Sequence, residues 1–313
     1  MNIQQLEYIV AVDRLKNFTR AADACFVTQA TLSAMVKKLE EELGLLIFDR
    51  KSNPPVTTDA GKIIVEDAQK VLMHLRVLTE RVSDMKGKIA GKIRIGIIPT
   101  IANSLLPRVL RGLMKAYPDL EFDITERTTD NILRSLKEGT IDAGILATPI
   151  AGEPIEKRVL YYEALMVYGD SGLNKKYLLP EDVRDQQIWL LEEGHCLREQ
   201  FINLCSLKKK QHTPKNLKLE ASSFETLLNL VDEFGGLTLI PELFYQSLPP
   251  SRKEKVIFFA DPMPVREISM VYVRPFAKMR AVDAISGLIE HLIAKELRTA
   301  NYQHDQMLVA AIR

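Results

Sequence analysis

Between Gly61 and Gly87 the chain runs without a glycine or a proline, and its apolar residues Ile64, Ala68, Val71, Leu75, Leu78, Val82 and Met85 recur at alternating intervals of four and three. That spacing is the seam of a coiled coil sustained over three heptads. Thr57-Thr58-Asp59 opens the helix, and Gly87 and Gly91 end it near Lys88. An apolar edge of this length calls for a second copy of the chain; the alternative is an amphipathic helix packed on its own domain. The character of the sequence changes on either side of it. This divides the 313 residues into a domain over 1–58, a linking and dimerising helix over 59–90, a larger domain over 91–300 and a tail over 301–313.

The first 58 residues read as short helices. Ile3, Leu6, Ile9 and Val10 give one apolar helical face, and Phe18-Thr19 starts a second helix through Ala21, Ala22 and Ala24. A turn at Cys25-Phe26-Val27 leads to Thr28, a suitable N-cap, and a third helix continues to Leu43 before Gly44 stops it. Two helices joined by a tight turn, with alanines that permit close approach, are the parts of a helix-turn-helix. Leu46-Ile47-Phe48 and Val56, separated by Lys51-Ser52-Asn53-Pro54-Pro55, read as a wing.

From residue 92 strand and helix patterns alternate. Lys92–Ile98, Glu121–Ile124, Ala143–Ala147, Ala164–Tyr168, Gln187–Leu191, Leu237–Ile240 and Ile268–Val273 are the expected strands. Helical stretches lie between many of them: Asn103–Tyr117, Asn131–Glu138 and the run to Phe234 that opens at Ser222-Ser223-Phe224-Glu225. The pattern predicts an α/β domain with largely parallel sheets in two lobes, with the last helix, Ala277–Leu297, packed back on the first lobe.

Charge excludes little, because 42 Lys and Arg stand against 41 Asp and Glu; any nucleic-acid binding must come from local arrangement. A recognition helix inserts its first polar residues into the major groove while basic side chains hold phosphates. Thr28, Gln29, Thr31, Ser33, Lys37 and Lys38 suit that task, and Arg50, Lys51, Asn53 and Thr57 of the wing could reach the flanking backbone. Glu40, Glu41 and Glu42 offset these charges, so a polar helix face without a partner remains the alternative. Nothing in the sequence reads as a signal or a membrane span, which points to the cytoplasm. His74, His195, His212, His291 and His304 are scattered, without Cys-x-x-Cys, so no metal is expected. No Gly-x-Gly-x-x-Gly follows a strand, so no dinucleotide cofactor is expected either.

Two of the three cysteines, Cys196 and Cys205, share the segment beginning Gly194-His195-Cys196-Leu197-Arg198. His195 and Arg198 would favour the Cys196 thiolate, and Lys208, Lys209 and Lys210 would do so less directly for Cys205. If the segment is helical, the cysteines lie about 13.5 Å apart on opposite faces. A disulfide needs Cα atoms within about 7 Å, so the bond would require partial unfolding. The alternative is two inert buried thiols. Cys25 reads as a small core residue.

Phe18-Thr19-Arg20-Ala21-Ala22-Asp23, Thr28-Gln29-Ala30-Thr31-Leu32-Ser33, Lys38-Leu39-Glu40, Leu43-Gly44, Phe48-Asp49-Arg50 and Thr58-Asp59-Ala60-Gly61 resemble the winged helix-turn-helix of LysR-type transcriptional regulators. Ala30 departs from the usual proline, and Pro54-Pro55 is a second departure; both bear on the preferred DNA half-site. The resemblance covers nearly the whole chain and implies a two-lobed regulatory domain like that of periplasmic binding proteins. Gly194–Gln200 with Cys205 is similar to the motif of the family's peroxide sensors. It implies Cys196 as the peroxide-reactive thiol, Cys205 as its resolving partner, and Thr100, Thr129, His195 and Arg266 around a peroxide pocket. Read alone, each threonine is as well a helix N-cap and Arg266 a salt bridge at a hinge between lobes. The implied partners are double-stranded promoter DNA, RNA polymerase, cytosolic disulfide reductants and further copies of the chain in a homo-oligomer, as a dimer of dimers, with antioxidant genes as targets and no membrane. Two rivals are a regulator of the same plan that binds a small anion between its lobes, and a thiol peroxidase.

Overall fold

The computed structural model describes the chain apart from residues 51, 53, 86–88, 151, 153, 171, 173–174, 185, 208–218, 220, 275–277, 303–305, 311 and 313, and apart from the side chains at 76, 80–85 and 301. It separates into two compact units, Met1–Gly87 and Lys88–Arg313.

The first unit begins with helices α1 (Ile3–Leu15), α2 (Phe18–Ala24) and α3 (Gln29–Leu43). Each opens on a side-chain cap: Asn2 for α1, Asn17 for α2 and Thr28 for α3, each supplying an acceptor to an otherwise unpaired N–H. Gly44 ends α3 in the left-handed conformation, φ 68°, where a side chain would be strained. Strands β1 (Phe48–Asp49) and β2 (Val56–Thr57) pair antiparallel as a small wing. Helix α4 (Asp59–Met85) follows. At Gly61 a Cβ would come within 2.2 Å of the Ile47 carbonyl oxygen, so glycine alone lets α4 start this close to the wing. The core joins Leu6, Ile9 and Val12 to Leu32, Val36 and Leu39, and closes over Val65 and Ala68 of α4.

The seam expected along α4 is therefore divided. Ile64 and Ala68 pack on the helix-turn-helix, while Val71 and Leu78 are 50% and 61% exposed. The side chains of Val82 and Met85 lie outside the described residues.

The second unit runs β3 (Gly91–Ile97), α5 (Pro99–Ala116), β4 (Leu120–Glu126), α6 (Thr129–Lys137), β5 (Ala143–Thr148), β6 (Glu156–Gly169), β7 (Tyr177–Leu178), α7 (Pro180–Val183), α8 (Cys196–Leu204), α9 (Phe224–Phe234), β8 (Leu237–Pro241), α10 (Glu242–Ser247), α11 (Pro250–Lys253), β9 (Val256–Phe259), β10 (Met263–Tyr272), α12 (Met279–Ile293) and β11 (Met307–Val309). Among the described residues the strands order as β4-β3-β5-β10-β6-β9-β7, with β11 on β10 and β8 on β6.

Two long strands join the lobes. The first half of β6 pairs with β10 and its second half with β8 and β9; β10 pairs with β5 over Glu267–Val271. One core gathers β3, β5, α5 and α12, and the other gathers α8, α9, β8 and the second half of β6. Helix α12 thus packs on the first lobe, as its apolar face predicts.

Among the described strands β3 pairs parallel with β4 and β5, β7 with β9, and β10 with β11; the crossing strands β6 and β10 run antiparallel to each other, so the sheet is mixed where the sequence predicts largely parallel pairing. Gln187–Leu191 makes only isolated bridges, from Ile188 to Leu237 and from Leu191 to Ala221. The expected tail carries β11, and Ile312 bridges Ile150.

Candidate functional site

Three helix N-termini bring polar groups to the inner edge of the first lobe. Thr100 is the second residue of α5, Thr129 the first of α6 and Cys196 the first of α8. β3 and β4 end just before the first two, which sets their hydroxyls at the carboxyl edge of parallel strands. All three side chains are buried, as is Arg266 of β10.

Arg266 is the hub. Its Nε donates to Glu163 Oε1 at 2.8 Å, one terminal nitrogen to the Thr100 hydroxyl at 3.3 Å and the other to the Thr100 carbonyl at 3.0 Å. Glu163 also accepts the backbone N–H of Leu243 at 3.1 Å. A buried guanidinium held by a buried carboxylate is costly to desolvate and tolerable only with such full hydrogen bonding. The pair is both the salt bridge on the strands joining the lobes and the positive charge beside Cys196.

Burial pushes the Cys196 thiol up, since a thiolate is poorly solvated there. The charge of Arg266, the Thr129 hydroxyl and the backbone N–H groups of Ala147 and Leu197 act the other way. The Leu197 N–H comes from the first turn of α8, whose dipole also favours an anion. The Thr129 hydroxyl makes no other hydrogen bond among the described residues, so it is free to hold an oxygen atom brought to the sulfur.

His195, the N-cap residue of α8, is buried with Nε2 3.4 Å from Glu192 Oε1. It lines a cleft with Pro99, Glu126, Arg127, Thr128, Asn131, Glu192 and Ser222. Arg198, expected to favour the thiolate, instead donates to the Leu191 carbonyl at 2.8 Å; the cation comes from Arg266, distant in sequence. Cys205 caps the far end of α8, buried in the second lobe's core. Burial drives its thiol up to about 12, with Glu181 adding to the shift and Arg184 opposing it. Both thiols are free. Lys208, Lys209 and Lys210 lie outside the described residues.

In the first unit Gln29, Thr31, Lys37 and Lys38 are exposed on α3. Thr28 is exposed too, but its hydroxyl caps the Thr31 N–H. Arg50 bonds Ser33 at 3.1 Å and Glu40 at 3.0 Å and stacks over Phe18, so Ser33 and Arg50 are tied together. Glu40 is a wing brace: its Oε1 accepts the N–H groups of Ile47 and Phe48. Thr57 departs from the expected DNA contact. Only 6% exposed, it donates to Asp13 at 2.5 Å and fastens the wing to α1. Lys51 and Asn53 lie outside the described residues.

The model of the bacterial regulatory helix-turn-helix proteins of the lysR family matches residues 3–62, and that of the LysR substrate binding domain matches residues 86–292. The chain belongs to the LysR family. A LysR-type protein is a DNA-binding transcription regulator, not an enzyme. Among relatives, the DNA-binding transcriptional dual regulator OxyR of Escherichia coli is 35% identical in an alignment that covers 96% of this chain and all of that one. The hydrogen peroxide-inducible genes activator of Haemophilus influenzae is 35% identical over 90% of this chain and 93% of its own. A full-length OxyR variant from Pseudomonas aeruginosa matches with a TM-score of 0.75 at 31% identity, covering 93% of this chain and 98% of that one. A hydrogen peroxide-bound OxyR variant from Corynebacterium glutamicum matches with a TM-score of 0.61 at 25% identity, covering 96% and 94%. No helix among the described residues of this LysR-type regulator is long and apolar enough to cross a membrane.

Proposed function

We propose that this regulator senses hydrogen peroxide through Cys196 and changes its grip on promoter DNA through a reversible Cys196–Cys205 disulfide. The observation that carries the proposal is the pairing of a helix-N-terminal thiol, faced by Arg266 and Thr129, with a second thiol at the other end of the same helix. The Cys196 thiolate attacks one peroxide oxygen and the O–O bond breaks; with one proton the departing oxygen leaves as water, and the sulfur becomes a sulfenic acid. The Cys205 thiol then displaces the sulfenic oxygen as a second water, so the two electrons given to peroxide leave the two sulfurs joined. Thr100, Thr129 and His195 position the peroxide, and Arg266 steadies the thiolate.

Closing the bond requires α8 to unwind, because the helix holds the two Cα atoms about 13.5 Å apart and a disulfide allows about 7 Å. Unwinding changes how the regulatory domains pair and so repositions the winged helices. Gln29, Thr31, Lys37 and Lys38 contact the DNA directly, with Thr28, Ser33 and Arg50 shaping the surface around them and Lys51 and Asn53 adding further contacts. The exposed Val71 and Leu78 of α4 pair with a second copy, and dimers associate further into a dimer of dimers. The switch works in the cytoplasm, activating antioxidant genes through RNA polymerase, and cytosolic dithiols reset it.

The anion reading finds less support. The cleft beside His195 carries Glu126 and Glu192, and the Arg127 guanidinium already bonds Thr125 and Ser135.

The test is intact mass and thiol titration after one equivalent of hydrogen peroxide, with Cys196→Ser and Cys205→Ser alongside. Loss of two thiols and two hydrogens, abolished by Cys196→Ser and replaced by a trapped sulfenic acid in Cys205→Ser, is the expected result. Slow, unselective oxidation would leave a regulator whose signal is a metabolite.

A further inference from the structure

Gln200 lies in α8 between the two cysteines, and its side chain is fully buried. Its Nε2 donates to the carbonyl oxygen of Ala310 at 2.8 Å, 110 positions away in the chain. The Ala310 N–H in turn donates to the Val265 carbonyl at 2.8 Å, extending the parallel register from Met263↔Met307 to Val265↔Val309 that holds β11 on β10. The next residue of β10 is Arg266, the cation beside Cys196. A continuous path of bonds thus links the middle of α8, the carboxy-terminal strand and the strand that supplies the charge.

Resting on the thiol-switch reading above, we propose that Gln200 is a positioning residue that clamps the segment between the cysteines onto the carboxy-terminal strand, so that closing the disulfide releases that strand. The reasoning is geometric. The Cα atoms of Cys196 and Cys205 must approach by roughly half their helical separation of about 13.5 Å, and the turns that unwind to allow it are those carrying Gln200. A side chain whose backbone moves by several ångströms does not keep a 2.8 Å bond to a strand fixed in another element.

The strand is short, with Met307, Val309 and Ala310 packed on the core of the second lobe. β11 has three residues, with Leu308 43% exposed, and a strand of three residues is at the short limit of stable pairing. Its remaining described anchor beyond Ala310 is the bridge from Ile312 to Ile150. The carboxy-terminal strand is therefore an output of the switch as well as a brake on it. In the reduced chain it covers the edge of β10 over Met263–Val265; in the oxidised chain that edge is uncovered. No additional oxidant is involved, since the bond that forms is the one made when Cys205 displaces water from the Cys196 sulfenic acid.

The experiment separates the two chemical steps in the full chain. Sulfenic acid formation is timed in the Cys205→Ser background and disulfide formation in the presence of both cysteines, each with and without Gln200→Met. Hydrogen exchange is followed in the unsubstituted chain before and after oxidation. Gln200→Met is expected to leave the first step within about twofold and to speed the second about 2- to 10-fold, the effect of one net hydrogen bond. The amides of Met307–Ala310 are expected to lose protection on oxidation together with those of α8. A substitution that merely loosened the fold would change both steps alike. An unchanged condensation rate together with amides 307–310 that stay protected overturns the proposal and leaves the switch standing. Failure of the unsubstituted chain to form any disulfide overturns both. Should Gln200→Met unfold, the exchange of the unsubstituted chain decides alone.

Discussion

Cys196 and Cys205 end the same helix and are equally hidden, 4% and 1% exposed, yet their surroundings differ in kind. Cys196 belongs to the core of the first lobe and Cys205 to that of the second, so α8 spans the two. Burial raises both thiols; the charge of Arg184 is all that opposes it at Cys205, whereas at Cys196 a cation, a hydroxyl and two backbone N–H groups do. Depth alone does not make a cysteine inert or reactive; the polar groups that accompany it into the core do. The same helix thereby holds a thiol whose rise is opposed by a shell of polar groups and one that burial drives up to about 12.

The strongest way to break this contrast is Arg266→Ala. The substitution removes the cation from Cys196 and strands Glu163, which has no other cation bonded to it among the described residues. Orphaning a buried charge costs about 3–5 kcal/mol, so denaturant unfolding should show a loss of that size. Sulfenic acid formation in the Cys205→Ser background should slow at least tenfold. Arg266→Ala combined with Glu163→Gln should recover part of the stability and none of the rate, which separates holding the fold from holding the thiolate.

The pH dependence of stability tests the other end of the helix. Folding keeps the Cys205 thiol protonated up to about 12, against an ordinary value of 9.0. The unfolded chain therefore releases this proton at lower pH than the folded chain does. Stability from this source is complete below about pH 9 and declines as pH rises toward 12, by at most about 1.4 kcal/mol per pH unit for one thiol. Unfolding of the reduced protein across pH 8–11 should show this slope, and Cys205→Ala should flatten it by that one proton. Thr129→Val sharpens the contrast from the Cys196 side. It should slow alkylation of Cys196 about three- to tenfold, as expected for one net hydrogen bond, and leave alkylation of Cys205 unchanged.

How far the sequence disclosed this arrangement follows from where its signals are local. The caps Thr28 and Ser223, the stop at Gly44 and the periodicities of α3, α4 and α12 lie within a few residues of the elements they shape. The lobe-crossing strands were legible only in part. β6 was expected from Ala164 and begins at Glu156, and β10 was expected from Ile268 and begins at Met263. The missing halves contain Glu163, Arg266 and Glu267, charges that interrupt an apolar run and read as exposed. They are buried because strands distant in sequence bring partners to both faces: Glu163 to Arg266 on one, and on the other Glu267 to Tyr162, Lys157 and Thr148. Arg198 misled for the complementary reason. Adjacent in sequence to the cysteine, it turns back to the Leu191 carbonyl, and no local pattern announces that Arg266 takes its place. Gln200 gave no signal, since its partner is a backbone carbonyl 110 residues on.

The third cysteine supplies the smallest expected effect and the cleanest control. Cys25 ends α2 in the first unit, half-buried against the helix-turn-helix core. Its thiol is raised by burial and by Glu7, with only Arg14 opposing. Since no hydroxyl or helix N-terminus offsets those influences, it resembles Cys205 more than Cys196 despite its greater exposure. Cys25→Ser should cost less than about 1 kcal/mol, as surface-proximal substitutions do, and leave peroxide consumption at one equivalent unchanged. Equal alkylation of Cys25 and Cys196 at neutral pH would mean that accessibility governs thiol reactivity in this chain. Faster alkylation of the more deeply buried Cys196 would leave the charge of Arg266 and its neighbours as the governing influence.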